Sequence, residues 1–215
     1  MAVHQRIEVV ACLGSSTTAG KRQAFDWIGA LKQRPRNDRF RFLTFGVGGD
    51  LASNMRRRLP RVLAAKPSYV ILLTGSNDIL ASVFQNVWRF FRLSKRLAEP
   101  PTPEAFEHNL SAIVRTLRAG TSAAIALASL PQVGESPNST GSVQRQLNVL
   151  YARYSEIIKT IAGIERTAYL PVFERLHAEI VAAPGRAFTE FRFWPFTAIY
   201  SVGCSFARTA TRLAR

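Results

Sequence analysis

Glu8-Val9-Val10-Ala11-Cys12-Leu13-Gly14-Ser15-Ser16-Thr17-Thr18-Ala19-Gly20 decides how this chain folds. An apolar, β-branched run stops on a glycine and gives way to a cluster of hydroxyl side chains. A strand covered on both faces reads as such a run. Glycine allows a tight turn, and Ser or Thr at the next position caps the exposed N–H groups of a new helix. The stretch therefore predicts a buried strand, a turn at its carboxyl end and the start of a helix.

The same pattern returns twice. Phe40-Arg41-Phe42-Leu43-Thr44-Phe45 runs into Gly46-Val47-Gly48-Gly49-Asp50, and Ser68-Tyr69-Val70-Ile71-Leu72-Leu73 into Thr74-Gly75-Ser76-Asn77-Asp78. A fourth strand is expected over Ala123–Leu130 and a fifth at Tyr169-Leu170-Pro171-Val172. Helices are expected over Ala24–Leu31, over Leu51–Ala65 with a bend at Pro60, over Pro103–Arg118 and over Val143–Ile164. A last helix, Phe173–Ala183, closes at Pro184-Gly185, and Gly134–Ser142 reads as a loop. Strands and helices in alternation imply βαβ units, a parallel sheet and three-layer α/β/α packing. Such sheets build their sites at the carboxyl ends of the strands, where all three glycine-led motifs lie.

The chain has 215 residues, 47% hydrophobic and 20% charged, which suits one globular domain and excludes a disordered one. Residues 1–197 read as that domain and 198–215 as an atypical basic tail. Cys12 and Cys204 provide neither a disulfide framework nor metal-ligand spacing, and Cys12 reads as a small core residue. Val9-Val10-Ala11-Cys12 has the look of a lipoprotein cleavage site, but Glu8 interrupts it and the apolar stretch is too short for a signal core. No run approaches the ~20 apolar residues of a membrane span. A cytoplasmic location is the expectation. The 29 Lys and Arg against 14 Asp and Glu give a net charge of +15, which favours anionic partners. No zinc-ligand set or nucleic-acid module accompanies the charge, so no specific nucleic-acid partner is expected.

The three motifs carry chemistry as well as fold. Ser16 stands where a strand ends and a helix begins, next to unpaired N–H groups that favour negative charge. A Ser/Thr helix cap would read the same way. A phosphate cradle is disfavoured because Lys21 is followed by Arg22, not by Ser or Thr. Gly46 offers an unencumbered N–H, with Gly48-Gly49 letting backbone come close to a ligand. Asn77 offers a side-chain amide, or with Asp78 a helix cap.

Taken jointly, the motifs resemble those of the SGNH hydrolase superfamily, the GDSL-type esterases and lipases. Gly14-Ser15-Ser16-Thr17-Thr18-Ala19-Gly20 matches the first family block, Gly46 with Gly49 the second, and Gly75-Ser76-Asn77-Asp78 the third. The resemblance covers roughly residues 7 to 183. It implies a flavodoxin-like five-stranded sheet and a serine ester hydrolase. Ser16 would be the nucleophile, and the N–H groups of Ser16 and Gly46 with the Asn77 amide would be the oxyanion donors. A small-molecule or lipid ester would be the substrate, with no metal or organic cofactor. Ser15 replaces the family's Asp, and Thr44 its usual Asn.

The family also places an Asp-x-x-His near the C-terminus. No aspartate follows Asp78 here, and the one acid-x-x-His arrangement is Glu174-Arg175-Leu176-His177. Glu174 and His177 are candidates for orienter and base, although an i, i+3 pair on a helix also reads as a surface contact. The stretch Phe188–Phe196 reads as packed sequence, whereas Ala198–Arg215 has no clear period and no acids. That contrast points to truncation or a reading-frame change. A catalytically impaired domain serving as a basic lipid- or nucleic-acid-binding protein is the alternative reading. Phe84–Leu97, with Arg89, Arg92 and Arg96 beside its aromatics, reads either as a buried helix edged by arginines or as a contact for an anionic membrane.

Overall fold

The computed structural model describes residues 7–20, 25–134 and 142–182, and the backbone of 191–194 and 197–200. Strands β1 (Glu8–Gly14), β2 (Phe40–Gly46), β3 (Tyr69–Leu73), β4 (Ala124–Ala128) and β5 (Ala168–Leu170) form one all-parallel sheet in the order β2-β1-β3-β4-β5. The helices are α1 (Ser16–Ala19), α2 (Trp27–Lys32), α3 (Ala52–Arg57), α4 (Leu59–Ala64), α5 (Ser76–Val83), α6 (Gln85–Ser94), α7 (Pro103–Gly120), α8 (Ser142–Ile164) and α9 (Val172–Ala182). The expected α/β architecture is the observed one.

Alternation along the strands divides the core between two faces. Ala11, Leu13, Val70, Leu72 and Leu127 pack beneath Met55 of α3, Leu59 and Val62 of α4, Phe106 and Leu110 of α7, and Leu147 and Tyr154 of α8. Val10 and Cys12 point the other way, onto Ile28 and Trp27 of α2. Burial pushes the Cys12 thiol up to about 12, against the pull of Lys32, so it is a neutral core group. At the edge, β2 leaves Arg41 and Thr44 exposed.

One expectation needs correction. The single bent helix over Leu51–Ala65 is two helices, α3 and α4, parted at Arg58 (φ −105°, ψ 8°) with Pro60 in the first turn of α4. Proline lacks the N–H of a continuous helix and its ring crowds the carbonyl four residues back. The helix read over Phe84–Leu97 is α6, set off from α5 by an extended Phe84 (φ −108°, ψ 111°).

Beyond the main sheet, β6 (Phe191–Trp194) and β7 (Thr197–Tyr200) form an antiparallel pair. Four-residue strands offer too few positions for a period to emerge from sequence. The division expected after residue 197 lies within β7. The Lys21-Arg22 pair, most of the Gly134–Ser142 loop, the Pro184-Gly185 stop, Cys204 and the 201–215 part of the tail lie outside the described residues. Among the described residues, no helix is long and apolar enough to cross a membrane.

Register is what builds the site. Gly46, Gly14, Leu73, Ala128 and Leu170 are paired in one row across the sheet. Each motif leaves the sheet from that row, so the motifs start at neighbouring points about 4.8 Å apart per strand. The chain turns to β2 on one side of β1 and to β4 on the far side of β3. The crevice at this reversal of order, between β1 and β3, is where open α/β sheets bind ligands.

Candidate active site

At the tip of β1 the backbone is crowded. A Cβ on Gly14 would lie 2.0 Å from Thr18 Oγ1 and 2.8 Å from the Leu73 carbonyl oxygen, so glycine alone fits. Ser15 is the buried N-cap residue of α1, and Ser16, half-buried, is its first helical residue. As such, Ser16 has a backbone N–H without an intrahelical partner. The short helix closes at once, with Gly20 left-handed (φ 70°) and its N–H donating to the Ser16 carbonyl.

Gly46, at the tip of β2, meets α1 backbone to backbone. A Cβ there would lie 2.1 Å from the Ala19 nitrogen and 2.5 Å from the Thr18 carbonyl carbon. This glycine is required by the helix that carries Ser16. Gly49 answers another need: it is left-handed (φ 75°), and its face is covered by Phe91 and Lys95. Gly48 has open space where a Cβ would stand. Only Gly48 retains the backbone accessibility that the sequence suggested for the pair.

At the tip of β3, Asn77 is the second residue of α5 and is buried. Its Nδ2 donates to the Asp50 carbonyl at 2.9 Å, engaging one of its two amide hydrogens. Its neighbour Asp78 reaches across the crevice to accept from the Ala52 N–H at 3.2 Å, capping α3 from another block of sequence. Burial raises the Asp78 carboxyl to about 7, against the lowering effect of the Ala52 N–H.

A polar network that sequence reading missed lies beneath these motifs. Arg58, at the α3–α4 break, donates Nε to Asp50 Oδ2 at 2.6 Å, Nη1 to the Phe45 carbonyl at 2.6 Å and Nη2 to the Gly14 carbonyl at 2.8 Å. Lys95 donates Nζ to Asp50 Oδ1 at 2.9 Å and to the Gly48 carbonyl at 2.6 Å. In sequence Arg56, Arg57 and Arg58 are three adjacent arginines of the same chemistry. The helix-breaking Pro60 was the one local sign that Arg58 would differ from its neighbours.

The residues proposed from the fifth strand onward are engaged with different partners. Glu174, in the first turn of α9, accepts from Ser129 Oγ at 3.0 Å and from the Tyr169 hydroxyl. His177 is exposed, stacks on Phe173 and pairs its Nδ1 with Gln132 Oε1 at 2.9 Å. Glu174 thus tethers α9 to the ends of β4 and β5, and Gln132 orients the imidazole. Position β4 is two strands from β1, about 10 Å along the sheet. His108 of α7 lies 3.5 Å from Arg56 Nη1. Among the described residues, no cluster of His, Cys, Asp and Glu is arranged to hold a metal ion.

A parallel sheet in the 2-1-3-4-5 order, with a serine, a glycine and an asparagine at adjacent strand tips, is a flavodoxin-like α/β scaffold. The chain belongs to the GDSL-like lipase/acylhydrolase family, whose profile matches residues 12–192. Its class is therefore that of the acyl-ester hydrolases. Among solved structures it resembles the acetyl xylan esterase AlAXEase, with a TM-score of 0.67 and 18% identity over 95% of this chain and 96% of that one. It also resembles Axe2, an acetylxylan esterase from Geobacillus stearothermophilus, with a TM-score of 0.63 and 15% identity over 97% and 94%. LAE5, an α/β hydrolase from the metagenome of Lake Arreo in Spain, gives 0.66 and 17% over 97% and 95%. At these identities the likeness is one of fold. Comparison with curated protein sequences finds no match.

Proposed function

We propose that the chain hydrolyses small-molecule or lipid esters with Ser16 as nucleophile. Ser16 Oγ attacks the ester carbonyl carbon, and the carbonyl oxygen takes on the negative charge. The Ser16 N–H and the Asn77 amide are its donors; the Gly46 N–H expected beside them points to the free edge of β2, because the Phe45 oxygen of the same peptide faces β1. The alcohol departs with a proton, and water then attacks the acyl-enzyme and frees the acid. The observation that supports this most is the shared row of Gly14 and Leu73, from which the Ser16 and Asn77 segments leave neighbouring strands side by side. Asn77 supports it further, being buried and held by the Asp50 carbonyl with its second amide hydrogen uncommitted to that bond. Two of the resembling structures are acetylxylan esterases, so acetyl esters are the first substrates to try.

The test is turnover of p-nitrophenyl acetate and butyrate by the wild type and by Ser16→Ala, Asn77→Ala and His177→Ala. Ser16→Ala abolishes turnover, and Asn77→Ala lowers kcat by about 10²–10³. Equal turnover in wild type and Ser16→Ala overturns the assignment. Loss in His177→Ala makes that imidazole the proton acceptor; full activity in it excludes the Glu174–His177 pair.

A partner surface is proposed with it, on α6. Val87 and Phe91 are buried, while Phe90 and Leu93 stand 50% and 81% exposed beside the exposed Arg89, Arg92 and Arg96. Apolar side chains among arginines, with no acid on the helix, suit an anionic lipid surface. Cosedimentation with phosphatidylglycerol vesicles but not phosphatidylcholine vesicles, lost in Leu93→Asp, is the expected result. Equal recovery with both lipids removes the proposal.

A further inference from the structure

The Arg58 guanidinium occupies a position whose consequence depends on the covalent structure of the peptide bond. The Phe45 carbonyl that accepts Nη1 belongs to the same planar, trans unit as the Gly46 N–H. The two dipoles point in opposite directions on one rigid plate. The oxygen faces β1 and the guanidinium, so the Gly46 N–H faces the free edge of β2, away from the crevice between β1 and β3. Nη2 binds the Gly14 carbonyl, which also accepts from the Val47 N–H at 3.2 Å, so the tips of β1 and β2 are locked to each other. Nε holds the Asp50 carboxylate, while the Asp50 carbonyl fixes the Asn77 amide.

We propose that Arg58, with Asp50 and Lys95, is the positioning device of the oxyanion site, aiming the Asn77 amide through the Asp50 backbone. The inference rests on the proposed roles of Ser16 and Asn77. Arg58 touches no substrate atom; it acts through the Asn77 amide. Two cations share one carboxylate, so the cluster carries a net positive charge. Its side chains are largely shielded, Arg58 at 16%, Asp50 at 5% and Lys95 at 19% exposed, so that charge favours a developing oxyanion without heavy screening by solvent. A lysine at 58 would keep the charge but could not reproduce the three-way fork.

The experiment measures kcat and KM for p-nitrophenyl acetate in Arg58→Met, Arg58→Lys and Asp50→Asn, with Ser16→Ala alongside and the exposed neighbour Arg57→Met as control. It also measures inhibition by a small alkyl boronic acid, which becomes tetrahedral on the serine. Because the Asn77 donor remains but loses its aim, kcat falls by about 10- to 100-fold, less than or equal to the effect of deleting a donor. KM stays within about twofold, and the boronate inhibition constant rises in step with the loss of kcat. Arg58→Lys retains a partner for Asp50 and reads the same effect should Arg58→Met fail to fold. A loss confined to KM, or unchanged kcat in Arg58→Lys with turnover abolished in Ser16→Ala, overturns the inference and leaves the site reading intact. Turnover that survives Ser16→Ala overturns the site reading itself.

Discussion

Replacing Gly46 by alanine tests how the site is assembled, because the added methyl meets backbone and has no flexible side chain to displace. The Cβ would stand 2.1 Å from the Ala19 nitrogen, against 3.4 Å for ordinary contact. The tip of β2 and α1 must therefore part by roughly 1.3 Å, the difference between those two distances. Since α1 has four residues and begins at Ser16, it would shift as a unit and carry the hydroxyl with it. Overpacking of this kind costs about 1–3 kcal/mol or more. In a chain of this size each kcal/mol lowers the melting temperature by about 2–4 °C. Misplacing a reacting group by about 1 Å costs on the order of 10² in turnover. Gly48→Ala is the control: it lies two residues away and has no heavy atom within 4 Å of the new Cβ. Its stability should stay within about 0.5 kcal/mol of wild type. Thermal melts by circular dichroism and p-nitrophenyl acetate turnover read both variants. A Gly46→Ala protein with wild-type melting and turnover, or a Gly48→Ala protein as impaired as Gly46→Ala, would refute the packing argument.

Further outcomes follow from single groups. Asp78 is raised from 3.8 to about 7 by burial, so it stays protonated in the fold while the unfolded chain ionises. Its contribution to stability is full below pH 4 and is lost as pH rises through 7. Asp78→Asn keeps an acceptor for the Ala52 N–H but does not titrate; its stability relative to wild type should rise between pH 4 and 7 in guanidinium unfolding, and parallel profiles would contradict this. Lys66 follows α4 with φ 46°, a left-handed position that disfavours a side chain. Lys66→Gly should stabilise by about 0.5–1 kcal/mol, read as a small rise in melting temperature; a drop would refute it. Phe106 is buried 4.6 Å, centroid to centroid, from Tyr154, and Phe106→Ala should cost about 3–5 kcal/mol in chemical denaturation. A loss below 1 kcal/mol would mean that this part of the core collapses around the gap.

The strands and their glycine endings were legible because they are local. Val10 to Leu13 announce a covered strand by composition, and Gly14 ends it because nothing larger fits the turn. The candidate serine, glycine and asparagine were found by the same means, each at a strand's end. The sheet register was not legible in any motif, yet it is what sets Gly46, Gly14 and Leu73 in one row. Gly46, Gly48 and Gly49 look alike in sequence; one meets a helix backbone, one meets nothing, and one adopts a left-handed turn under Phe91 and Lys95. Glu174 and His177 sit at a suggestive spacing, but their partners come from Ser129, Tyr169 and Gln132 on other elements.

Arg58 shows the division most clearly. Its sequence neighbours are arginines, and its partners are the Gly14 and Phe45 carbonyls and the Asp50 carboxylate, up to 44 residues away. Apolar period and turn chemistry were enough to determine the α/β class and the places where chemistry could occur. Which polar groups face one another was decided by the packed sheet, since hydrogen bonds over such separations exist only once distant strand ends have been brought side by side.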